Sequence, residues 1–568
     1  MSGSEWEGME VTPFSTPNNK TVEEYYKTMA DIASDIIVQD IDHCGIVAGI
    51  IDEIGLVELI NWELEPHPLT LVSPGIVVKA MILNGLGLVS APLYLFPQFF
   101  VGKATEHLLG KGITPEMLND DRLGRVLDEL YKVGITHLFV KVALAAAKKF
   151  RVNTQSKHLD STSFHVHGQY LREPNLTGEP VPIEITYGYS RDHRPDLKQF
   201  IVDLICTSDG DIPLYLRVAS GNESDSAIFA KLMKEFRENW DMDGLFVADA
   251  ALYNQENLRQ INHLNWVSRV PASLKAAKEL LSEPAEEDLQ TCQLDGYRIK
   301  SCEVTYEEIK QRWLLVESEK RKESDLKQLK KKIRNLEGKA RSELKSLSQQ
   351  KFACQPDAEQ AVEQLNKKLR YHTITRVEIL KSPYYTQPGR PPKGAKPAGY
   401  SYQIQAELAE NESAIEQEKI RAGRFILATN VLDVNELSDE QVLKEYKNQQ
   451  STERGFRFLK DPMFFTDSVF LKNPERIEAL AMVMGLCLLV YSLGQRALRE
   501  ALAKAKKSIK NQVGKPTTTP TLRWVFQCFQ SIHLLTVDGV KKITYLTDER
   551  RWILQFLGAS CQEYYLLT

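Results

Sequence analysis

The period of the apolar residues changes at Lys157, and this change constrains the fold more than any other feature. In the segment KHLDSTSFHVHGQY, apolar and polar residues alternate, which predicts a β-strand. Asp160 shares one face of this strand with Thr162, Phe164 and Val166. Aspartate is depleted in strands, so Asp160 is either a hydrogen-bonded strand residue or a functional carboxylate.

The next four elements extend the pattern. KQFIVDLICTSD and IPLYLRVASG predict strands, a helix follows from about Asp225 to Trp240, and GLFVADAALYNQENL begins with a further strand that ends at Asp249. Three strands, a helix and a strand is the order of an RNase H-like core, in which the first and fourth strands are neighbours. That resemblance implies that Asp160 and Asp249 lie together, although Asp249 could instead cap the next helix.

A second informative segment is SDEQVLKEYKNQQSTERGFRFLK, Ser438 to Lys460. Ser438 is the predicted N-cap, and Gln441 completes a capping box. Asp439 and Glu440 place negative charge in the first turn, where the helix dipole favours it. The segment therefore predicts one helix up to Lys460.

Within this helix, Tyr446, Gln449, Glu453 and Lys460 are separated by two, three and six residues, which places them near one helical face. The spacing resembles the Tyr-x2-Arg-x3-Glu-x6-Lys signature of bacterial insertion-sequence DDE transposases. The resemblance implies that Glu453 is the third metal-binding carboxylate, and that Tyr446, Gln449 and Lys460 contact DNA. Gln449 departs from the family's arginine and carries no charge, which predicts a weaker contact. A solvated amphipathic helix is the alternative.

The resemblance also implies a cofactor. Phosphodiester displacement uses two hard cations about 3.5–4 Å apart, and carboxylates with waters suit Mg²⁺. Asp160, Asp249 and Glu453 are therefore the predicted ligands of two Mg²⁺ ions, with Mn²⁺ as a possible substitute.

Composition limits the remaining possibilities. The chain has 568 residues, a formal charge of -5 and a pI near 6.2, so contacts with DNA must come from local basic patches. Its eight cysteines form no CxxC pair, and the N-terminus has no signal-peptide pattern. The apolar run Ala479 to Leu493 predicts a buried helix rather than a membrane span. We therefore expect a cytoplasmic protein.

Further candidate DNA contacts are scattered along the chain. Arg191, Arg194 and Lys198 lie in TYGYSRDHRPDLKQF, which resembles a block of a transposase subgroup with large insertions; a solvated turn is the alternative. Arg390 lies in Gly-Arg-Pro, similar to the core of an AT-hook, or in a basic linker. Trp313 could stack on an unpaired base or belong to the core.

Asp249 and Glu453 are too far apart in sequence for a bare core, so an inserted domain is predicted. Its two helices, with leucines at helical spacing and a Lys-rich outer face, are expected to form a hairpin whose helices bury their stripes mainly against each other. The predicted organisation is a flexible tail (1–20), a helical DNA-binding or dimerisation domain (21–150), the first part of the core (151–272), the insertion of β-strands, helical hairpin and Pro-rich loop (273–423), the second part of the core (424–495) and a basic C-terminal region (496–568).

The predicted fold is thus α/β: an RNase H-like core, with a mixed sheet and helices, is interrupted by the insertion and preceded by a helical domain. The resemblance implies a Mg²⁺-dependent DNA transposase that cuts the ends of its element and joins them to target DNA. Its partners would be double-stranded DNA, namely terminal inverted repeats and target, and a second copy in a homodimer, with no membrane. The alternative is an inactive transposase-derived DNA-binding or scaffold protein.

Overall fold

The structure is a computed structural model that describes residues 36–168, 170, 181–190, 193–240, 242–284, 288–386, 394, 396–461 and 471–567. Its strands are β1 (Ile36–Asp40), β2 (Ser156–Val166), β3 (Lys198–Thr207), β4 (Pro213–Ser220), β5 (Leu245–Ala248), β6 (Asn265–Arg269), β7 (Gln290–Thr291), β8 (Tyr297–Tyr306), β9 (Ile309–Ser318), β10 (His372–Tyr384), β11 (Gly399–Glu410), β12 (Arg424–Thr429), β13 (Ile509–Lys510), β14 (Pro516–Thr517), β15 (His533–Val537) and β16 (Val540–Thr544).

Its helices are α1 (Cys44–Ile54), α2 (Leu56–Leu64), α3 (Pro74–Gly85), α4 (Phe96–Phe100), α5 (Thr105–Leu109), α6 (Asp120–Val133), α7 (Ile135–Lys149), α8 (Asp225–Trp240), α9 (Gln255–Gln260), α10 (Lys275–Ser282), α11 (Glu319–Gln349), α12 (Gln355–Lys368), α13 (Glu412–Arg421), α14 (Asp439–Asn448), α15 (Gln450–Leu459), α16 (Pro474–Ala505), α17 (Leu522–Cys528), α18 (Asp548–Leu554) and α19 (Ala559–Glu563). Short 3-10 helices cover Leu93–Leu95 and Pro115–Leu118.

The chain divides into two compact units. Unit 1 comprises Met1–Asn153, Ser161–Asn222 and Glu453–Thr568, and unit 2 comprises Thr154–Asp160 and Glu223–Thr452. Strand β2 contributes its first half to unit 2 and its second half to unit 1.

Unit 1 is built around α16. Most of its side chains are buried, and 94% of its most apolar window lies inside the protein, so this helix is a core element although it is long and apolar enough to cross a membrane. The prediction of a buried helix at Ala479–Leu493 is confirmed. The N-terminal region is helical from α1 to α7, and α3 begins with Ser73 as N-cap and Pro74 at the first helical position.

The C-terminal region of unit 1 packs on its N-terminal region. Strand β15 pairs antiparallel with β1, with Val38 opposite Leu535, and β16 extends this sheet. The hydroxyl of Tyr565 donates a hydrogen bond to the carbonyl oxygen of Asp42 at 2.5 Å. The C-terminal segment therefore completes the fold of its own chain.

Unit 1 also contains β3 and β4, which pair antiparallel in the order β4–β3–β2. The buried carboxylate of Asp203 accepts hydrogen bonds from Ser161 Oγ at 2.5 Å and Arg217 Nη1 at 3.0 Å. The ion pair and the added hydrogen bond offset part of the desolvation cost of a charge inside the sheet.

Unit 2 is built on a mixed sheet with strand order β2–β5–β6–β12–β9–β8–β7. The pairs β2–β5 and β5–β6 are parallel, and β6–β12 is antiparallel, with Arg269 opposite Leu427. Strands β6 and β12 thus bring the two ends of the intervening segment together, as an inserted domain requires. The predicted mixed α/β fold, with a helical N-terminal region, is confirmed.

The predicted helical hairpin is present as α11 and α12, but its packing differs from the prediction. Leu329 of α11 packs with Tyr371 and Ile415, and Leu344 packs with Leu365 and Ile374. The helices therefore bury their stripes partly against the two-stranded ribbon β10–β11 and against α13. The expectation that they pack mainly on each other is wrong, because the ribbon offers a further apolar face.

Candidate active site

Two aspartates lie side by side at one end of the sheet of unit 2. In the parallel pair β2–β5, Leu159 is opposite Ala248, so that Asp160 and Asp249 are the next residues on neighbouring strands. Both are partly buried. The sequence-based expectation that these two strands are neighbours is confirmed, and it brings the two carboxylates to the same edge.

The backbone around Asp249 is fixed by hydrogen bonds. Its carboxylate Oδ1 accepts from the backbone N–H of Ala251 at 2.8 Å, and its carbonyl oxygen accepts from Ser268 Oγ at 2.8 Å. The first contact is a tight turn of the type that aspartate favours after a strand. The carboxylate therefore leaves the strand in a defined direction.

Arg269 is a site residue that the sequence did not identify. Ser268 is opposite Ala248 in the parallel pair β5–β6, so Arg269 follows it beside Asp249. The guanidinium lies 5.8 Å from the ring centre of Phe425. The available signal was a charged residue directly after the buried residues Trp266–Ser268, but only the register makes Arg269 a neighbour of Asp249.

Tyr446 is the signature residue nearest this edge. It packs against Phe425, with ring centroids 6.2 Å apart. Burial raises the pKa of Tyr446, nearby Arg269 lowers it, and the negative charge of Asp249 raises it again. The phenol therefore lies within electrostatic range of Asp249, and its predicted contact with DNA remains a proposal.

The predicted continuous signature helix is wrong. The capping box is present, with Gln441 N–H donating to Ser438 Oγ at 3.2 Å and Ser438 N–H donating to Gln441 Oε1 at 2.8 Å. However, α14 ends at Asn448, and α15 begins at Gln450. Gln449 between them is only 9% exposed. The four signature residues therefore do not share one face of one helix.

A nonlocal contact of unit 2 accompanies this break. Thr452 is fully buried, and its hydroxyl donates a hydrogen bond to the carbonyl oxygen of His158 on β2 at 3.2 Å. On the same strand, His158 Nε2 lies 3.6 Å from the carboxylate of Glu445. These contacts attach α14 and the start of α15 to the strand that carries Asp160.

Glu453 lies in the first turn of α15 and is exposed, at the point where the chain enters unit 1. Negative charge is favoured there by the helix dipole. The next residue, Arg454, donates hydrogen bonds to Asp211, which raise the pKa of Arg454, and the charge of Glu453 adds to that effect. The carboxylate therefore faces a positive neighbour.

The donor set of unit 2 fits a magnesium ion. Asp160 and Asp249 offer only carboxylate oxygens, and Mg²⁺ is commonly held by one or two carboxylates together with waters and phosphate oxygens. Within the described part of the chain, no group of three or more His, Cys, Asp or Glu residues is placed to hold a metal ion. The pair of aspartates is thus compatible with a site that substrate oxygens complete.

The other predicted DNA contacts have different surroundings. The guanidinium of Arg194 forms two hydrogen bonds to Asp196, at 2.9 and 2.8 Å, and this pairing lowers the pKa of the Asp196 carboxyl to about 2. Lys198 Nζ donates to the carbonyl oxygen of Tyr170 at 3.1 Å, and Lys460 Nζ lies 5.6 Å from the ring centre of Phe164. To contact DNA, the guanidinium of Arg194 would have to release the Asp196 carboxylate and bind a phosphate instead.

The prediction that Trp313 stacks on a base is wrong. The side chain is 1% exposed, and its indole N–H donates to the hydroxyl of Tyr253 and to Gln311 Oε1, each at 3.1 Å. It is a core residue of β9, as the alternative held. Arg191 and Arg390 lie outside the described residues, so their predicted roles stay predictions.

Comparison with known proteins agrees with this architecture. The family described as transposase DDE domain matches residues 158–491, and a domain of unknown function, DUF4277, matches residues 36–144. The first match covers more than half of the chain and includes both aspartate strands. The chain belongs to the transposase DDE domain family.

Among solved structures, a cryo-EM structure of the piggyBac transposase synaptic complex with hairpin DNA is similar over 92% of this chain and 80% of that chain, with 8% sequence identity and a TM-score of 0.36. No curated protein matches the sequence.

Proposed function

We propose that the protein is a Mg²⁺-dependent DNA transposase of an insertion sequence, which cuts element ends and joins them to target DNA. The observation that carries the proposal is the register of β2 and β5, which makes Asp160 and Asp249 neighbours. Membership of the transposase DDE domain family supports the reaction class. The DNA partners are the inverted repeats of its element and the target, bound by a homodimer in the cytoplasm.

The residue roles follow from their chemistry. Asp160 and Asp249 would hold Mg²⁺, with Glu453 as the third carboxylate, and the ions would supply activation of the attacking oxygen and stabilisation of the leaving oxygen. The hydrogen bond from Ala251 orients Asp249. Arg269 offsets negative charge where the carboxylates and a phosphate come together.

The reaction consists of two displacements at phosphorus. Water first attacks the phosphodiester at the element end, loses a proton, and the P–O3′ bond breaks, which releases a 3′-hydroxyl. That hydroxyl then attacks a phosphodiester of target DNA, the new P–O bond forms, and a target 3′-hydroxyl is released. The same carboxylates serve both steps.

The test is a set of isosteric variants, Asp160→Asn, Asp249→Asn and Glu453→Gln, assayed with purified protein and its own element ends in Mg²⁺. Each variant removes one ligand charge and little surface. We expect cleavage and strand transfer to fall by at least about 10²-fold, because carboxylate ligands are needed to hold the ions. Binding of the ends, measured by gel shift, should change less than about threefold.

The matched control is Asp538→Asn, which removes one charge from an exposed turn of unit 1. It should cleave and join like the parent protein. Full cleavage by any one of the three carboxylate variants would remove that residue from the site. End binding by the parent protein without any cleavage would instead favour the inactive DNA-binding protein, for which the uncharged Gln449 is the main argument.

A further inference from the structure

Unit 1 contains a cleft of about 450 Å³ that none of the roles above uses. Its volume is within the range of small-ligand sites. Four arginines line it, together with two aspartates, so its walls carry an excess of positive charge. The arginines are Arg454, Arg457, Arg499 and Arg523, and the aspartates are Asp211 and Asp461.

The arginines are held in different ways. The guanidinium of Arg454 forms two hydrogen bonds to Asp211, both 2.7 Å, and Arg523 Nη1 donates to Asp461 at 2.5 Å. Arg499 donates through Nε to the carbonyl oxygen of Pro520 at 2.8 Å, which leaves its Nη groups for other acceptors. Among the described residues, exposed Arg457 has no hydrogen-bond or ion-pair partner.

The charges inside the cleft are not fully balanced. Burial lowers the pKa of Arg499, nearby Tyr491 and Asp211 raise it in part, and the like charge of Arg454 lowers it again. An anion bound between these guanidinium groups would relieve their repulsion. Arginine forks match phosphate geometry particularly well.

The cleft is also lined by aromatic and aliphatic side chains. The rings of Phe458 and Tyr491 are 4.6 Å apart, and Gly455 lies beside Leu488, where a Cβ atom would come within 3.2 Å of the leucine side chain. A lining that combines arginines with aromatic and aliphatic side chains suits a ligand that carries both a phosphate and a flat or apolar group. A nucleotide has this combination.

We propose that this cleft binds the 5′-phosphate and first nucleoside of a DNA strand end. The proposal rests on the proposed function for the source of the ligand, because an enzyme that cuts DNA generates such ends. The cleft begins one residue after Glu453 in the chain. The cleft would supply arginine contacts to phosphate that Gln449, at the position of the signature arginine, cannot make.

The experiment measures binding of a short single-stranded oligonucleotide, with and without a 5′-phosphate, to the full chain in EDTA by fluorescence anisotropy. We expect the phosphate to tighten binding roughly tenfold, as for one or two charge-assisted hydrogen bonds. Because no metal or cleavage is involved, the result is independent of the carboxylate variants. Equal affinity for the two oligonucleotides would overturn the proposal.

Two variants in opposite directions sharpen the test. Arg457→Gln removes a guanidinium without breaking a described contact, and should abolish most of the preference for the phosphate. Asp211→Asn releases the Arg454 fork and should increase that preference. Residue 211 has a φ of +60°, which asparagine tolerates, so this variant should fold.

The control Lys542→Gln removes an exposed positive charge elsewhere in unit 1 and should leave the preference unchanged. If Arg457→Gln and Lys542→Gln reduce binding of both oligonucleotides equally, the effect is general electrostatics and the assignment fails. Free dAMP is then added as a competitor of the phosphorylated oligonucleotide. If dAMP displaces the labelled oligonucleotide at the same concentration as unlabelled phosphorylated oligonucleotide does, the cleft is a free-nucleotide site. The strand-end proposal is then overturned.

Discussion

At the scale of single residues, Gln449 has an environment that its sequence pattern did not predict. It is buried between α14 and α15, with its backbone N–H donating to the carbonyl oxygen of Tyr446 at 3.2 Å. Restoring the signature arginine by Gln449→Arg would insert a longer, charged side chain there. We expect a loss of about 1–3 kcal/mol of unfolding free energy, measured by urea denaturation, because overpacking and buried charge both destabilise.

The neighbouring residue provides the matched control. Gln450 is exposed, so Gln450→Arg adds the same charge one position away and should leave stability within about 0.5 kcal/mol of the parent value. The salt dependence of end binding should be the same for Gln449→Arg and the parent protein. A steeper dependence by about one counterion, with unchanged stability, would instead place residue 449 against the DNA backbone.

The residues of the site differ in how far the sequence could predict them. Asp160 and Asp249 are charged residues within or directly after apolar strands, which is a local and unusual signal. Arg269 has no such signal, because its position beside Asp249 depends on the pairing of Ser268 with Ala248. Trp313 was placed wrongly for the same reason, since its partner Tyr253 is distant in sequence.

At the scale of elements, the start of the signature helix was predicted better than its end. The capping box at Ser438 is a local hydrogen-bond pattern, and it is present as predicted. The break after Asn448 has no proline or glycine to announce it. It coincides with the bond from Thr452 to β2, a contact between distant segments that helix periodicity does not encode.

The insertion offers a prediction at this scale. The backbone N–H of Ser318 donates to the carbonyl oxygen of Gly423 at 3.0 Å, and Glu317 is opposite Arg424 in the β9–β12 pair. Residues 319–422 can therefore be replaced by Asn-Gly, which favours a tight turn between antiparallel strands. We expect the variant to unfold in one cooperative transition, with a loss of about 1 kcal/mol for each missing hydrogen bond, namely those from Arg421 to Ser282, from the Gly423 N–H to Asp325 and from the Glu319 N–H to the carbonyl oxygen of Gly296.

A smaller deletion, compared with the replacement of 319–422, tests whether the ribbon β10–β11 needs the two hairpin helices. Removing only 319–370 keeps the ribbon β10–β11 but uncovers Tyr371, Ile374 and Leu408, which pack against the two hairpin helices. This variant should bind a hydrophobic dye and aggregate, because an isolated two-stranded ribbon is marginal in water. If the smaller deletion is monomeric and the larger one unfolds, the insertion is not an independent structural element.

At the scale of the whole molecule, the order of elements could be predicted and the assembly of distant segments could not. The change of period at Lys157 and the strand at Leu245–Ala248 indicated the order of the elements, and the resemblance of that order to an RNase H-like core implied that β2 and β5 are neighbours, as they are. No sequence pattern predicts the pairing of β1 with β15, because both strands are short and they lie far apart in the chain. Both units combine segments that are far apart in the chain.

This interleaving leads to a prediction about unit 2. Fragment 223–452 contains most of unit 2 but lacks the half of β2 that pairs with β5. It would expose the edge of β5 and leave the carboxylate of Glu445 without His158. We expect this fragment to aggregate, since an unpaired edge strand recruits other chains.

Joining Thr154–Asp160 to Glu223 through a flexible Gly/Ser linker should restore cooperative unfolding and reduce aggregation, because Leu159, which is fully buried, can again pack beside Ala248. The control carries Leu159→Asp in the added strand and should aggregate like the shorter fragment, because an unpaired buried charge costs several kcal/mol. Light scattering and urea denaturation distinguish these outcomes. A shorter fragment that is already monomeric and cooperative would mean that the strand bearing Asp160 contributes to the site alone and is not required for the fold of unit 2.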